Sequence, residues 1–188
     1  MDRRFQKTEK AIRSAYFSLL GSGRKITVTE IAERADIDRK TFYLHYQSVE
    51  DIVTAYAKEK AQQLKDMLKE KDSFTETHDL YVFFQCLNEL MSEDIRLYRS
   101  LSKDRNYESF WETVHQIVKE TITELFAEPS LTDDREFQTY ADFYTYGILA
   151  VYRRWLEADD SMTLEELGSY LSKISASALH IYRERQKK

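Results

Sequence analysis

Residues 26–46 read ITVTEIAERADIDRKTFYLHY and carry the most informative pattern in the chain. Thr27 and Glu30 have the spacing of a capping box, which predicts a short helix ending near Ala35. Asp38 can cap a second helix that begins at the next residue. Two short helices joined by a tight turn are typical of a helix-turn-helix, whose second helix enters the major groove of DNA.

The apolar and polar residues of this stretch fall on opposite sides. The positions that can pack together and against Ile12 and Leu19 of a preceding helix are Ile31, Ala32, Ala35, Ile37, Phe42 and Tyr46. The second helix turns another set to one outer face: Arg39, Lys40, Tyr43 and Gln47, with Thr41 and His45 beside them. Side chains of these types reach base edges and phosphates, so the pattern predicts a DNA-binding surface.

The composition favours an all-α fold. The chain has 188 residues, with 4 Gly and 1 Pro, where average usage would give roughly 13 and 9. Turn-rich β folds are therefore excluded. Apolar residues make up 42% and aromatic residues 13% of the chain, which is enough for a packed core. Helical periodicity runs almost throughout, and we expect about nine helices.

We expect two domains of unequal size and charge. Residues 1–47 would form a three-helix helix-turn-helix domain, and residues 48–188 a larger helical bundle for regulation and dimerisation, with a helix from 48 to about 71 connecting them. The first segment holds ten basic and six acidic residues, and the second holds 18 and 27. A basic head on an acidic body suits a DNA-reading domain, although an ordinary solvated surface could give the same imbalance.

The last two predicted helices, near 134–157 and 164–184, carry wide apolar stripes. An acidic loop joins them, so we expect an antiparallel pair. Such a pair could close the core of one chain, or it could meet its copy in a four-helix dimer interface. The residues assigned to a dimer interface are Tyr144, Ile148, Val151, Trp155, Leu167, Leu171, Ile174, Ala178 and Ile181.

The helix-turn-helix stretch also resembles a known family. Residues 26–35, followed by Thr-Phe-Tyr-Leu-His-Tyr at 41–46, look like the DNA-binding head of the TetR/AcrR family of bacterial transcriptional regulators, and the resemblance covers about the first 55 residues. Trp155-Leu156 resembles a feature of the regulatory domain in one subgroup. The resemblance implies a dimeric, all-helical repressor whose heads bind successive major grooves of a roughly palindromic operator, and which a small-molecule effector releases.

The resemblance also implies roles for single residues. Thr27, Tyr43 and His45 would contact phosphates. The residues that would face or approach bases are Arg39, Lys40, Thr41 and Leu44. On the first helix, Arg3, Lys7 and Lys10 share a face and could anchor phosphates, or they could be ordinary solvated charges.

Four positions depart from the family pattern, and they bear on DNA affinity and half-site preference. Asp36 stands in the turn where glycine is usual, and Asp38 replaces a Ser or Thr cap. Lys40 stands where glycine is common, and Val49 where a phosphate-binding lysine is usual. Lys40 could supply the charge that Val49 lacks.

By the same resemblance, an effector cavity would lie among the central helices. The residues expected to line it are Phe84, Met91, Trp111, His115 and Tyr144, although aromatic residues at helical spacing are more often core. A protein partner could replace the small molecule as the controlling signal, and nothing in the sequence separates the two.

An enzyme is the least favoured class. Glu112 and His115 form a single Glu-x-x-His, whereas di-iron bundles use this spacing on two helices. We therefore expect no catalytic residue, metal or cofactor. One cysteine, Cys86, excludes an internal disulfide, and no apolar run is long enough to span a membrane. We expect a cytoplasmic protein.

Overall fold

The computed structural model describes residues 3–20, 24–71, 80–103, 108–126, 135–158 and 162–186. Of residues 108–109, 125–126 and 177–186 it describes only the backbone. Within these ranges the elements are α1 (Arg3–Leu19), α2 (Val28–Arg34), α3 (Arg39–His45), α4 (Val49–Lys69), α5 (Leu80–Glu93), α6 (Ile95–Lys103), α7 (Glu108–Phe126), α8 (Arg135–Glu157) and α9 (Leu164–Gln186). All are helices, so the expected all-α class is confirmed.

The starts of four helices, α2, α3, α4 and α9, are fixed by side chains that bond their own first turn. In α2, the Glu30 N–H donates to Thr27 Oγ1 at 3.3 Å, and the Thr27 N–H donates to the Glu30 carboxylate at 2.9 Å. Ser48 and Asp51 form the same capping box at α4. Asp38 accepts from the Thr41 N–H at 2.7 Å and caps α3. The predicted helix starts are confirmed.

The turn between α2 and α3 is built around Asp36, whose φ of 54° lies in the left-handed region. The Ile37 N–H donates to the Ala32 carbonyl and the Asp36 N–H to the Glu33 carbonyl, at 3.0 and 3.3 Å. These two bonds are those of a Schellman motif, which usually has glycine at the left-handed position. Asp36 keeps the turn with a side chain that tolerates this backbone better than most.

One apolar cluster runs from the first three helices into the body of the molecule. Ile12, Ile31 and Phe42 are fully buried in it. The same cluster contains Leu101 of α6 and Leu156 of α8. The helix-turn-helix unit is thus packed onto the bundle, with α4 passing between them.

The body is assembled from helix pairs that are distant in sequence. Helix α9 packs on α5, α7 packs on α4 and α8, and α8 also packs on α6. The antiparallel α8–α9 pair expected from the sequence is not the main packing of either helix. No helix in the described ranges combines the length and the apolar character needed to cross a bilayer.

Several residues assigned to a dimer interface instead close the core of the single chain. Ile148, Leu167 and Leu171 are buried in a second cluster with Phe83 and Phe84. Because these three side chains are buried within their own chain, they do not form part of an outer face. Tyr144 and Trp155 are partly buried and pack against the same cluster. Val151 and Ile174 are exposed, and the side chains of Ala178 and Ile181 lie outside the described residues.

Candidate nucleic-acid interface and effector cavity

The outer face of α3 presents a row of exposed side chains. Arg39, Lys40 and Gln47 are exposed, and Tyr43 and Leu44 keep 49% and 71% of their surface in solvent. Two of the three remaining positions assigned to DNA contact are engaged in caps: Thr41 Oγ1 donates to Asp38 and Thr27 Oγ1 to Glu30, each at 2.9 Å. These predicted DNA-binding residues therefore fall into two groups. One consists of exposed side chains on α3 or directly after it, and the other of threonine hydroxyls that are hydrogen-bonded in the caps of α2 and α3.

His45 is held by a ring that the sequence interpretation missed. The Phe5 ring stacks on it with centroids 3.9 Å apart and planes 29° apart. His45 Nδ1 is buried and has no hydrogen-bond partner. The stack lays the start of α1 beside the end of α3, and Arg3 and Lys7 flank Phe5 and are exposed. The only signal in the sequence was a large apolar residue within a charged stretch.

Arg13 of α1 joins α1, the end of α3 and α4. Its Nε donates to the Tyr46 hydroxyl at 3.0 Å. Its guanidinium also donates to Glu9 at 3.0 Å and to Glu59 of α4. Burial alone would lower the pKa of Arg13, but the bonds to Glu59 and Tyr46 outweigh burial and raise it. The guanidinium thus stays charged and fixes α3 relative to α4.

Two carboxylates of the helix-turn-helix, Asp38 and Glu30, are engaged in helix caps. The Thr41 N–H and hydroxyl lower the pKa of Asp38. The Thr27 N–H and hydroxyl lower the pKa of Glu30, and an ion pair with Arg24 adds to the effect. Both groups are ionised at neutral pH, but their oxygens are turned toward backbone N–H groups.

A cavity of about 110 Å³ lies among α4, α5, α6, α7 and α8. Two of the predicted effector residues, Met91 and Trp111, line it. The others lie elsewhere. Phe84 is buried against Phe83, His115 stacks on Tyr146 at 3.6 Å, and Tyr144 is half-buried on α8.

Helices α4 and α6 supply cavity residues that the sequence interpretation missed. Tyr56, Ala57, Lys60 and Ala61 of α4 face the cavity, and so does Tyr98 of α6. Their spacing on α4 is that of one helical face, which could have been recognised. The side of α4 that meets the cavity, however, depends on how α7 packs on it.

A polar cluster forms part of the wall of this cavity. The Tyr56 hydroxyl donates to Asp94 at 2.7 Å and lies 3.1 Å from the Tyr98 hydroxyl. The Lys60 ammonium lies 2.6 Å from Glu93 and 3.0 Å from Asp94. Burial raises the pKa of both tyrosines. The tyrosines therefore remain neutral, and the lysine is neutralised by its two carboxylates.

Helices α8 and α9 each leave large apolar side chains exposed. These side chains have 40% to 72% of their surface in solvent: Phe143, Tyr146 and Val151 on α8, and Tyr170 and Ile174 on α9. Gly147 of α8 has open space where a side chain would be. The sequence interpretation had assigned only Val151 and Ile174 of these residues to an interface.

Comparison with known proteins places the chain among transcriptional regulators. A family model described as "Transcriptional regulator C-terminal region" matches residues 78–177. No curated protein sequence matches the chain. Among the described residues, no three His, Cys, Asp or Glu side chains lie together in a way that could hold a metal ion.

Three solved structures share the fold. The dihydroxyacetone kinase operon activator DhaS has 20% identity and a TM-score of 0.53, over 93% of this chain and 97% of that one. The TetR family repressor AlkX from Dietzia sp. has 14% identity and a TM-score of 0.58, over 94% of this chain and 95% of that one. FadR from Thermus thermophilus, a TetR family repressor in complex with lauroyl-CoA, has 18% identity and a TM-score of 0.54, over 88% of this chain and 92% of that one.

Proposed function

The chain belongs to the TetR family of transcriptional regulators, and we propose that it is a homodimeric repressor that binds a roughly palindromic operator and is released by a small molecule. The observation that carries the DNA-binding part is the exposed row on α3. Residues 1–47 would read the DNA, and residues 48–188 would bind the effector and the second copy. Such a protein acts on the chromosome, which places it in the cytoplasm.

The chemistry of the α3 row suits direct reading of bases. Arg39 and Lys40 can donate to guanine O6 and N7, and a good bidentate contact contributes about 1–3 kcal/mol of discrimination. Leu44, exposed at 71%, offers an apolar contact for a thymine methyl group. Tyr43, the residue before Leu44, would contact a phosphate of the DNA backbone.

Positioning on the duplex would come from contacts to phosphates. We assign such contacts to Thr27 at the start of α2 and to His45 at the end of α3. Arg3, Lys7 and Lys10 of α1 are exposed. Contacts of this kind fix register and orientation, and they make binding strongly salt-dependent.

A palindromic operator requires two heads at a fixed separation. Half-sites one helical turn apart lie about 34–36 Å from each other, so a two-fold dimer has to hold its α3 helices at that distance. The exposed apolar face of α8 and α9 is the surface that would hold the two copies together. The most exposed of its large apolar residues are Phe143 on α8 and Ile174 on α9.

Control by a small molecule is favoured over control by a protein because the body contains an apolar cavity. FadR, a neighbour in fold, was solved with lauroyl-CoA. In this chain the cavity is lined by Tyr56, and the Tyr56 ring packs on Phe17 of α1 at 5.0 Å. A ligand there would shift the population between arrangements of the heads. We assign no catalytic role, cofactor or metal.

The test is selection of duplexes from a random library by the full-length protein. We expect an enriched palindrome whose binding weakens steeply as salt rises. Arg39→Ala should then lose about tenfold in affinity, which corresponds to about 1.4 kcal/mol. Arg96→Ala, which removes an exposed arginine of α6, should change little. If no sequence is enriched, or if both variants bind alike, the proposal fails.

A further inference from the structure

The cavity among α4–α8 has the size of a single ring. Its volume is about 110 Å³, and an apolar cavity of about 150 Å³ is known to stay dry and to bind benzene. Two alanines one turn apart on α4, Ala57 and Ala61, leave room opposite Val114 and Val118 of α7. A long acyl chain would not fit without opening the bundle.

The polar groups around the cavity already have partners within the chain. The Tyr152 hydroxyl donates to Asn88 at 2.6 Å, and Thr121 Oγ1 donates to the Ile117 carbonyl at 2.8 Å. The Tyr56 hydroxyl is bonded to Asp94. A strongly polar ligand would have to break these bonds or remain unpaired, and burying an unpaired polar group is unfavourable.

The charges beside the cavity disfavour both anions and cations. Lys60 is held by Glu93 and Asp94. A ligand carboxylate would have to compete with both of them for one ammonium. A ligand ammonium would meet Lys60, and Asp94 already accepts from both Lys60 and Tyr56. A buried charge without its own partner is costly, so an uncharged molecule is selected.

The walls favour an aromatic ring over an alkane of equal size. Six aromatic side chains line the space: Tyr56, Phe83, Tyr98, Phe110, Trp111 and Tyr152. Edges and faces of such rings attract another ring in offset or edge-to-face arrangements, beyond what burial alone provides. Phe110 and Trp111 already adopt an edge-to-face geometry with centroids 5.3 Å apart.

We propose that this cavity binds one uncharged molecule with a single aromatic ring. That such a molecule acts as the effector rests on the proposed function above, whereas its binding does not. A bound ring would contact Tyr56, which packs on Phe17 of α1 with centroids 5.0 Å apart and planes at 76°. Glu59, on the same turn of α4, bonds Arg13 and through it Tyr46 at the end of α3.

The experiment compares toluene, benzoate and benzylamine on the full-length protein by thermal unfolding and by calorimetric titration. Toluene should raise the unfolding temperature and bind saturably, one molecule per chain. Benzoate and benzylamine should bind at least tenfold more weakly. Equal binding of either charged analogue, or no binding of toluene, overturns the proposal.

Variants tie the binding to this cavity. Ala61→Leu should fill the space and abolish the toluene effect, and Ala57→Val serves the same purpose if the larger substitution prevents folding. Ala158→Leu, at an exposed position after α8, is the matched control and should bind toluene like the wild type. If Ala61→Leu or Ala57→Val folds and still binds toluene normally, the assignment to this cavity is wrong.

A separate measurement keeps the two proposals distinguishable. Toluene is added to the complex of the protein with its selected operator, and dissociation is followed. If toluene binds the protein but leaves the operator complex intact, the ligand class stands and the control mechanism fails. If no operator is found, the DNA-binding proposal fails whatever toluene does.

Discussion

At the scale of single residues, Asp36 carries the clearest backbone strain. Its φ of 54° is left-handed, a region that costs most L-residues roughly 1–2 kcal/mol and costs glycine almost nothing. We expect Asp36→Gly to raise the free energy of unfolding by up to about 1 kcal/mol, measured by urea denaturation. Asp36→Asn should be close to neutral, and Asp36→Ala should be destabilising. A less stable glycine variant would contradict this account of the turn.

His115 makes stability depend on pH. Its ring stacks on Tyr146, and its Nε2 is buried with no hydrogen-bond partner. Burial lowers the pKa of His115. The positive charge of Lys119 also lowers this pKa, whereas the negative charge of Asp142 raises it without cancelling the effect of burial. The unfolded chain therefore binds a proton more readily than the native chain, so the contribution to stability is complete above about pH 6.5 and is lost as pH falls below it.

His115→Phe keeps a ring for the stack and removes the titration. We expect the free energy of unfolding of this variant, relative to the wild type, to rise as pH is lowered from about 7.5 to about 5.5. Denaturant unfolding at several pH values measures the difference. A difference that stays constant across this range would show that His115 does not titrate differently in the native and unfolded states.

At the scale of the helices, the packing of α9 on α5 depends on Gly168. A Cβ at this position would lie inside contact distance of the Asn88 side-chain amide. That amide donates to the Leu164 carbonyl at 2.7 Å and accepts from the Tyr152 hydroxyl. The close approach thus allows one side chain to join α5, α8 and α9.

Gly168→Ala should therefore destabilise the protein although alanine favours helices. Overpacking costs about 1–3 kcal/mol, against a gain of about 1 kcal/mol in helix propensity. In an Asn88→Ala background the clash is absent, and the same substitution should be neutral or stabilising. Thermal unfolding of the four proteins in this cycle provides the test. Equal effects in both backgrounds would rule out the clash.

Local and distant contacts differ in how far they could be predicted. The caps at Thr27, Asp38 and Ser48 join residues three apart, so the sequence contains the whole interaction. Arg13 bonds Tyr46 and Glu59 at separations of 33 and 46 residues, and no local pattern specifies such partners. The helix-turn-helix could be recognised because it is local, whereas the bond network that orients it could not.

The same limit explains the outer face of the bundle. Helix α8 has apolar residues on more than one side, so its periodicity does not say which side the chain buries. The row with Thr145, Ile148 and Tyr152 meets the other helices. The row with Phe143 and Tyr146 is left in solvent. The positions of the helices packed against α8 decide between them.

At the scale of the whole molecule, one turn of α4 connects the proposed effector cavity with the proposed DNA-binding head. Tyr56 faces both the cavity and Phe17 of the head. Glu59 holds Arg13, and Lys60 holds Glu93 and Asp94 at the junction of α5 and α6. Movement of this turn would displace the end of α3 through the bonds from Glu59 to Arg13 and from Arg13 to Tyr46. The core shared by head and body would be the physical basis for coupling the proposed effector binding to the proposed DNA binding.

The exposed face of α8 and α9 makes the quaternary structure testable. A row of large apolar side chains in solvent is typical of an interaction surface. In a two-fold interface each copy contributes the same patch, so one substitution introduces two charges. We expect Ile174→Lys, and still more the double variant with Phe143→Lys, to convert a dimer into a monomer at micromolar concentration by light scattering. Operator affinity should fall with it, since one head makes half the contacts.

Leu44→Lys is the matched control for this experiment. Leu44 is an equally exposed apolar residue, but it lies on α3, where we propose DNA contact and not association of two copies. This variant should scatter as a dimer while its base preference changes. A monomeric wild type would refute the dimer, and a dimer that persists in the double variant would move the interface to another surface. In that case the spacing of the two α3 helices would have to be derived again from the new contact.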